Sequence, residues 1–160
     1  MQYCSKPNIE QLNKILAVYH LSLELISTHK DIPGSFWGDS EAGLIGNTLF
    51  IRKDTPIHSA LHEACHYICM DGQRRSNLHT NAGGDYDEEN GVCYLQILLG
   101  EKLPSIDRNI MFNDMDEWGY SFRLGSTQKW FHSDADDAQK WLIEKGILDA
   151  ANKPTGKLRE

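Results

Sequence analysis

The chain has 160 residues, 40% hydrophobic, 9% aromatic and 24% charged, a globular profile of single-domain length that excludes a disordered or fibrous chain. Its 16 basic and 23 acidic residues leave a net charge of −7, and the cations are scattered rather than massed, which argues against a nucleic-acid partner. Residues 1–8 lack a basic start followed by an apolar run and no stretch has the length of a membrane span, so we expect a cytoplasmic protein that neither enters nor crosses a membrane. A chain of this size buries about 70% of its unfolded surface and needs no disulfide staples. Cys4, Cys65, Cys69 and Cys93 therefore read as reduced thiols.

In chain order, Ile9, Leu12, Ile15, Leu16, Tyr19, Leu23 and Ile26 recur at spacings of three and four, which predicts a packing helix over 8–29. Residues 44–51 hold two short apolar runs split by Gly46 and Asn47, the pattern of a β-hairpin. Thr55, as N-cap, and Pro56, at the first helical position, open a second helix to about Met70. Residues 72–86 are polar and glycine-bearing and read as a loop. A third helix follows from Asp87 to Leu99. Beyond Pro104 the aromatics Trp118, Tyr120, Phe122, Trp130 and Phe131 show no clean period. The run from Asp134 to Lys145 reads as a last helix, with Asp134, Asp136 and Asp137 as N-terminal charge and Gly146 as its stop. No repeat or linker interrupts the chain, so residues 1–160 are expected to form one domain.

The second helix carries His62-Glu63-Ala64-Cys65-His66, a match to H-E-x-x-H. The i, i+4 spacing puts both imidazoles on one face, where they can share a tetrahedral ion, and Glu63 sits about 100° round the helix, within reach of a water on that ion. Imidazole ligands leave Zn²⁺ acidic enough to bring bound water to a pKa near ~7, and a flanking carboxylate then takes the proton. Zn²⁺ is thus the expected cofactor, His62 and His66 two of its ligands, and Glu63 the general base.

A third ligand must come from elsewhere. On the third helix Val92, Leu95, Leu98 and Leu99 define an apolar face with Glu88 at its centre, while Glu89 lies about 100° away beside Cys93 and Gln96. A buried carboxylate needs a partner, and a metal held by the neighbouring helix supplies one. Glu88 is therefore the first expectation and Glu89 the second.

Residues 44–99, a hairpin, the His62–His66 motif on a helix, then Glu88 followed by Gly91, Tyr94, Leu95, Leu98 and Leu99, resemble the minimal core of gluzincin metallopeptidases. The nearest likeness is to the small bacterial metallopeptidases of the ImmA/IrrE type. That resemblance implies an α+β fold, a zincin-like domain in which a small sheet packs on the motif helix and on a second ligand-bearing helix. It also implies Glu88 as third ligand and a peptide or protein substrate. The motif resembles the H-E-x-C-H of SprT-type metalloproteases as well, and on that likeness the third ligand is a later histidine, here His79.

The expected function is a zinc-dependent metallopeptidase. The competing readings are a zinc-binding regulatory or interaction module without hydrolysis and a zinc hydrolase of non-peptide amides or esters. His58 lies on the same stripe as the two histidines and reads as a solvated helix-start residue; Cys65, Cys69 and Cys93 read as core; Arg74 and Arg75 read as solvated loop cations able to grip an anion. Tyr120 or His132 is the candidate for a hydrogen-bond donor reaching the cleft.

Overall fold

A computed structural model describes residues 1–35, 39–78 and 83–160, and its first element already departs from the sequence reading. Helix α1 covers only Lys6–Val18, and Ser22–Leu25 form a strand, β1. The helix is closed by a Schellman arrangement: Leu21 N–H bonds the Leu16 carbonyl and His20 N–H that of Ala17. His20 takes the left-handed conformation at φ 63°. Leu21 and Leu16 are both buried at this end, so the apolar residue just past the stop folds back on the helix instead of extending it.

The hairpin forms as expected, with β2 at Gly43–Ile45 and β3 at Thr48–Ile51 joined by Gly46 and Asn47. Gly46 has φ 57°, as the first residue of a two-residue hairpin turn requires. In the sheet β3 is central, antiparallel to β2 and parallel to β1, with Leu23 beside Leu49 and Leu44 opposite it.

Helix α2 spans Ile57–Cys69. Pro56 rather than Thr55 is the N-cap residue, and the buried Thr55 hydroxyl accepts instead from Arg52 N–H at 2.9 Å, closing the turn that links β3 to the helix. The segment expected as a loop contains a short helix, α3 (Gly72–Ser76), because Asp71 caps Arg74 N–H at 2.9 Å. Helix α4 (Tyr86–Gly100) starts on Asp85, whose carboxylate accepts from Glu88 N–H, and carries Asp87, Glu88 and Glu89 in its first turn.

The C-terminal part is helical: α5 (Arg108–Trp118) and α6 (Thr127–Ser133) are capped by the Asp107 and Ser126 side chains, and α7 (Asp136–Glu144) places Asp136 and Asp137 in its first turn and ends before Gly146 at φ 75°. The protein is thus α+β, and among the described residues no helix is long and apolar enough to cross a membrane.

Helices α2 and α4 form the central pair. From Gly91 onward α4 is buried on every side, against α2, α5 and α7. Gly91 permits the closest approach: a Cβ there would stand 2.8 Å from the Trp141 ring of α7. The chain then returns to this pair, as Arg159 N–H bonds the Ile68 carbonyl near the end of α2. Arg75 donates to the carbonyls of Tyr67, Met70 and Arg159, tying the tail to the helix end. Arg75, expected in solvent, is therefore structural.

Candidate metal site

Two turns of α2 and the first two turns of α4 meet at the motif. His62 Nε2 lies 3.1 Å from His66 Nε2 and 3.1 Å from Glu89 Oε1, and His66 Nε2 lies 3.2 Å from Glu89 Oε2. Two imidazole nitrogens and one carboxylate, with a different oxygen towards each ring, form a compact triangle of groups. Ligand atoms about 2.1 Å from a tetrahedral zinc stand ~3.4 Å apart, so this spacing fits a cation with little adjustment. His62, His66 and Glu89 could hold a metal ion. The imidazoles are largely covered, at 16% and 10% side-chain exposure, whereas Glu89 is 47% exposed, so the triangle has one face towards solvent.

Glu88, the first expectation for the third ligand, does not join this group. Its carboxylate is buried, as its place on the apolar face demands, but its partners are arginines: Arg74 Nη1 at 3.0 Å and Nη2 at 2.5 Å, and Arg159 Nη1 at 2.9 Å. In the first turn of α4 the centre of the apolar face points at α3 and the tail, and the neighbouring position faces the histidines. His79 lies outside the described residues.

Glu63 is half-buried one residue from His62. Burial pushes its carboxyl above the ordinary range; Glu89 adds to this, and the two imidazoles oppose it. Burial also works against charge on Glu89, but the hydrogen bonds and charge of His62 and His66 prevail and hold it well below the usual carboxylate range. For His62 burial again opposes the charged form and is outweighed by Tyr120, Cys93 and Glu89, which raise its affinity for a proton. The same donors could take a proton or a cation, so uptake of a metal ion there would release protons.

Behind His62 lies a polar group embedded in the core. His62 Nδ1 is 2.7 Å from Gln96 Oε1, and Gln96 Nε2 donates to the His58 carbonyl at 3.2 Å and to the Tyr120 hydroxyl at 3.4 Å. The Tyr120 hydroxyl in turn lies 3.1 Å from His58 Nδ1. His58 is therefore not solvated as expected: it is buried, packs against Trp118 and Tyr120, and burial lowers its pKa to about 3. Tyr120 packs edge-on against the His62 ring, with centroids 5.5 Å apart, and its hydroxyl meets Gln96 and His58; its buried phenol is pushed up to about 12. His132 packs on Phe112 and Phe131 and takes no part.

The cysteines are core thiols, as expected. Burial raises Cys65, Cys69 and Cys93, and Cys4 is pushed up to about 12 by burial and then by Asp54. Cys93 Sγ lies 4.0 Å from Glu89 Oε1, one helical turn along the same face. The sequence reading missed Gln96. Its signal was present: a lone amide in the apolar run Val92–Leu99, seven residues after Glu89 and therefore on the same face. Set against known proteins, the chain matches no family model, no curated protein and no solved structure.

Proposed function

We propose that this protein is a zinc-dependent metallopeptidase of zincin-like build, with His62, His66 and Glu89 as the metal ligands and Glu63 as the general base. The observation that carries the reading is the triangle of two imidazole nitrogens and one carboxylate at 3.1–3.2 Å, with a second, half-buried carboxylate beside it on the motif helix. The order of elements supports it: a hairpin, the motif helix packed under it, then the helix bearing the third donor. Zinc bound by three protein donors supplies Lewis acidity to a carbonyl and to water.

The chain's own residues do the rest. His62 and His66 present neutral Nε2 lone pairs from one face of α2, and Glu89 adds a negative charge from the start of α4 and partly neutralises the ion. Glu63, whose proton affinity is raised by burial, takes a proton from the attacking water and can pass it to the leaving amine. A carboxylate of ordinary acidity would hold that proton less well.

The test is zinc content and peptide hydrolysis in wild type and Glu63→Gln. The variant should keep about one zinc per chain and lose hydrolysis of an unstructured peptide by about 10²–10⁴-fold. Wild-type protein that takes up no zinc at micromolar supply would remove the metal reading. Zinc without hydrolysis would leave the binding module.

A further inference from the structure

We infer that Gln96 is a positioning residue for the metal site: it holds His62 in the tautomer that presents Nε2 to an ion. This rests on the reading of His62, His66 and Glu89 as ligands. The His58 carbonyl can only accept, so the end of the Gln96 amide that faces it at 3.2 Å must be the NH₂ group. The other end, Oε1, then faces His62 Nδ1 at 2.7 Å, and a carbonyl oxygen can only accept. Nδ1 must therefore carry a hydrogen. In the neutral ring Nε2 is left with its lone pair, and Nε2 is the atom 3.1 Å from both His66 and Glu89.

The tautomer is thus set in sequence by a carbonyl of α2, an amide of α4 and the ring itself. Tyr120 reinforces the amide's orientation. Its hydroxyl accepts from Gln96 Nε2 at 3.4 Å and donates to Nδ1 of His58 at 3.1 Å, so it too meets the NH₂ end. The arrangement uses the Gln96 oxygen and both of its N–H groups while the residue is fully buried, which is the condition under which an amide persists in an apolar helix. No such partner is provided for the other ligand ring: His66 Nδ1 is buried with no hydrogen bond among the described residues. Orientation of the metal-binding pair is therefore concentrated on His62 through one side chain.

The test compares zinc affinity, by competition with a chelating dye, in wild type, Gln96→Met and Gln96→Glu, with thermal melts of each metal-free protein. Methionine keeps the length of the side chain but removes the acceptor; zinc binding should weaken about 10–100-fold, the usual effect of losing such a partner. Glutamate restores an acceptor oxygen and should return affinity to within a few-fold of wild type although it loses both N–H donors. A purely structural role predicts the opposite ranking, since glutamate disturbs the buried contacts to His58 and Tyr120 more than methionine does. Equal affinity in all three proteins, or loss in both variants in step with melting temperature, overturns the assignment while leaving the metal site standing. Wild-type protein that binds no zinc overturns the metal reading itself, and the positioning role falls with it.

Discussion

Glu88 and Glu89 are neighbours in the first turn of α4, yet they belong to different regions. Glu88 is 2% exposed and held by two arginines, one from α3 and one from the tail. Glu89 is 47% exposed and faces two imidazoles. One step of about 100° on a helix separates a carboxylate that ties the chain together from one whose partners can exchange a proton for a cation. The difference lies in the partners: guanidinium groups stay protonated and leave no lone pair for a metal, whereas an imidazole has one whenever it is neutral. Burial alone therefore cannot locate a metal ligand, because a fully paired carboxylate is the ordinary solution to a buried charge.

Stability depends most on the Glu88 side. Replacing Arg159 by methionine keeps its stem against Trp141, over which the guanidinium lies at 5.2 Å, but leaves Glu88 with Arg74 alone. Losing one partner of a buried ion pair costs about 3–5 kcal/mol, and with Arg74 still present the low end, about 3 kcal/mol, is expected. Urea denaturation of the metal-free protein measures it. The fold should survive, and zinc affinity of the folded fraction should stay within a few-fold of wild type, because Arg159 touches none of the three donors.

Glu89→Gln acts on the other carboxylate. The amide keeps size and removes the anionic ligand, so zinc affinity should fall by at least about 100-fold, or ~2.7 kcal/mol, while metal-free stability changes by less than about 1 kcal/mol. The paired substitution Glu88→Gln should do the reverse: lower stability and near-normal zinc binding. If Glu88→Gln were the variant that released zinc, the assignment of the two carboxylates would be inverted.

What could be read in the sequence was local. The hairpin turn, the motif helix and the acidic first turn of α4 each depend on residues within a few positions of one another, and all three appear where expected. The end of α1 was misread because its apolar spacing continues into β1. Only the left-handed turn at His20, with no glycine to announce it, separates the two. The partner of Glu88 was out of reach for a different reason: Arg159 is 71 residues away, and nothing in local periodicity links a tail to the first turn of α4. The caps of α5 and α6, Asp107 and Ser126, were visible signals, hidden by aromatics that pack without a helical period. At the site, the wheel placed Glu88 on the buried face correctly, but the groups that meet it there are arginines rather than the two histidines.

The smallest of these effects concerns the polar core behind the triangle, and it separates His58 from His62 by the sign of their pH dependence. His58, ordinarily near 6.5, is lowered to about 3, first by burial and then by the charge on His62 and the N-terminus. The unfolded chain therefore binds a proton at His58 between about pH 6.5 and 3 that the folded chain refuses, so stability from this residue falls as pH drops through that window, by ~1.4 kcal/mol per unit. His62 is raised, so its contribution is fully present below about 6.5 and is lost only as pH rises above it. From pH 7 to 5, in chelator, His58 should thus cost about 2 kcal/mol while His62 contributes no loss. His58→Phe keeps a ring against Trp118 and cannot titrate. Its stability should vary less between the two pH values by about that amount, whatever its stability at pH 7, and an unchanged slope would mean that His58 is protonated in the folded protein and that the order of groups behind His62 is different.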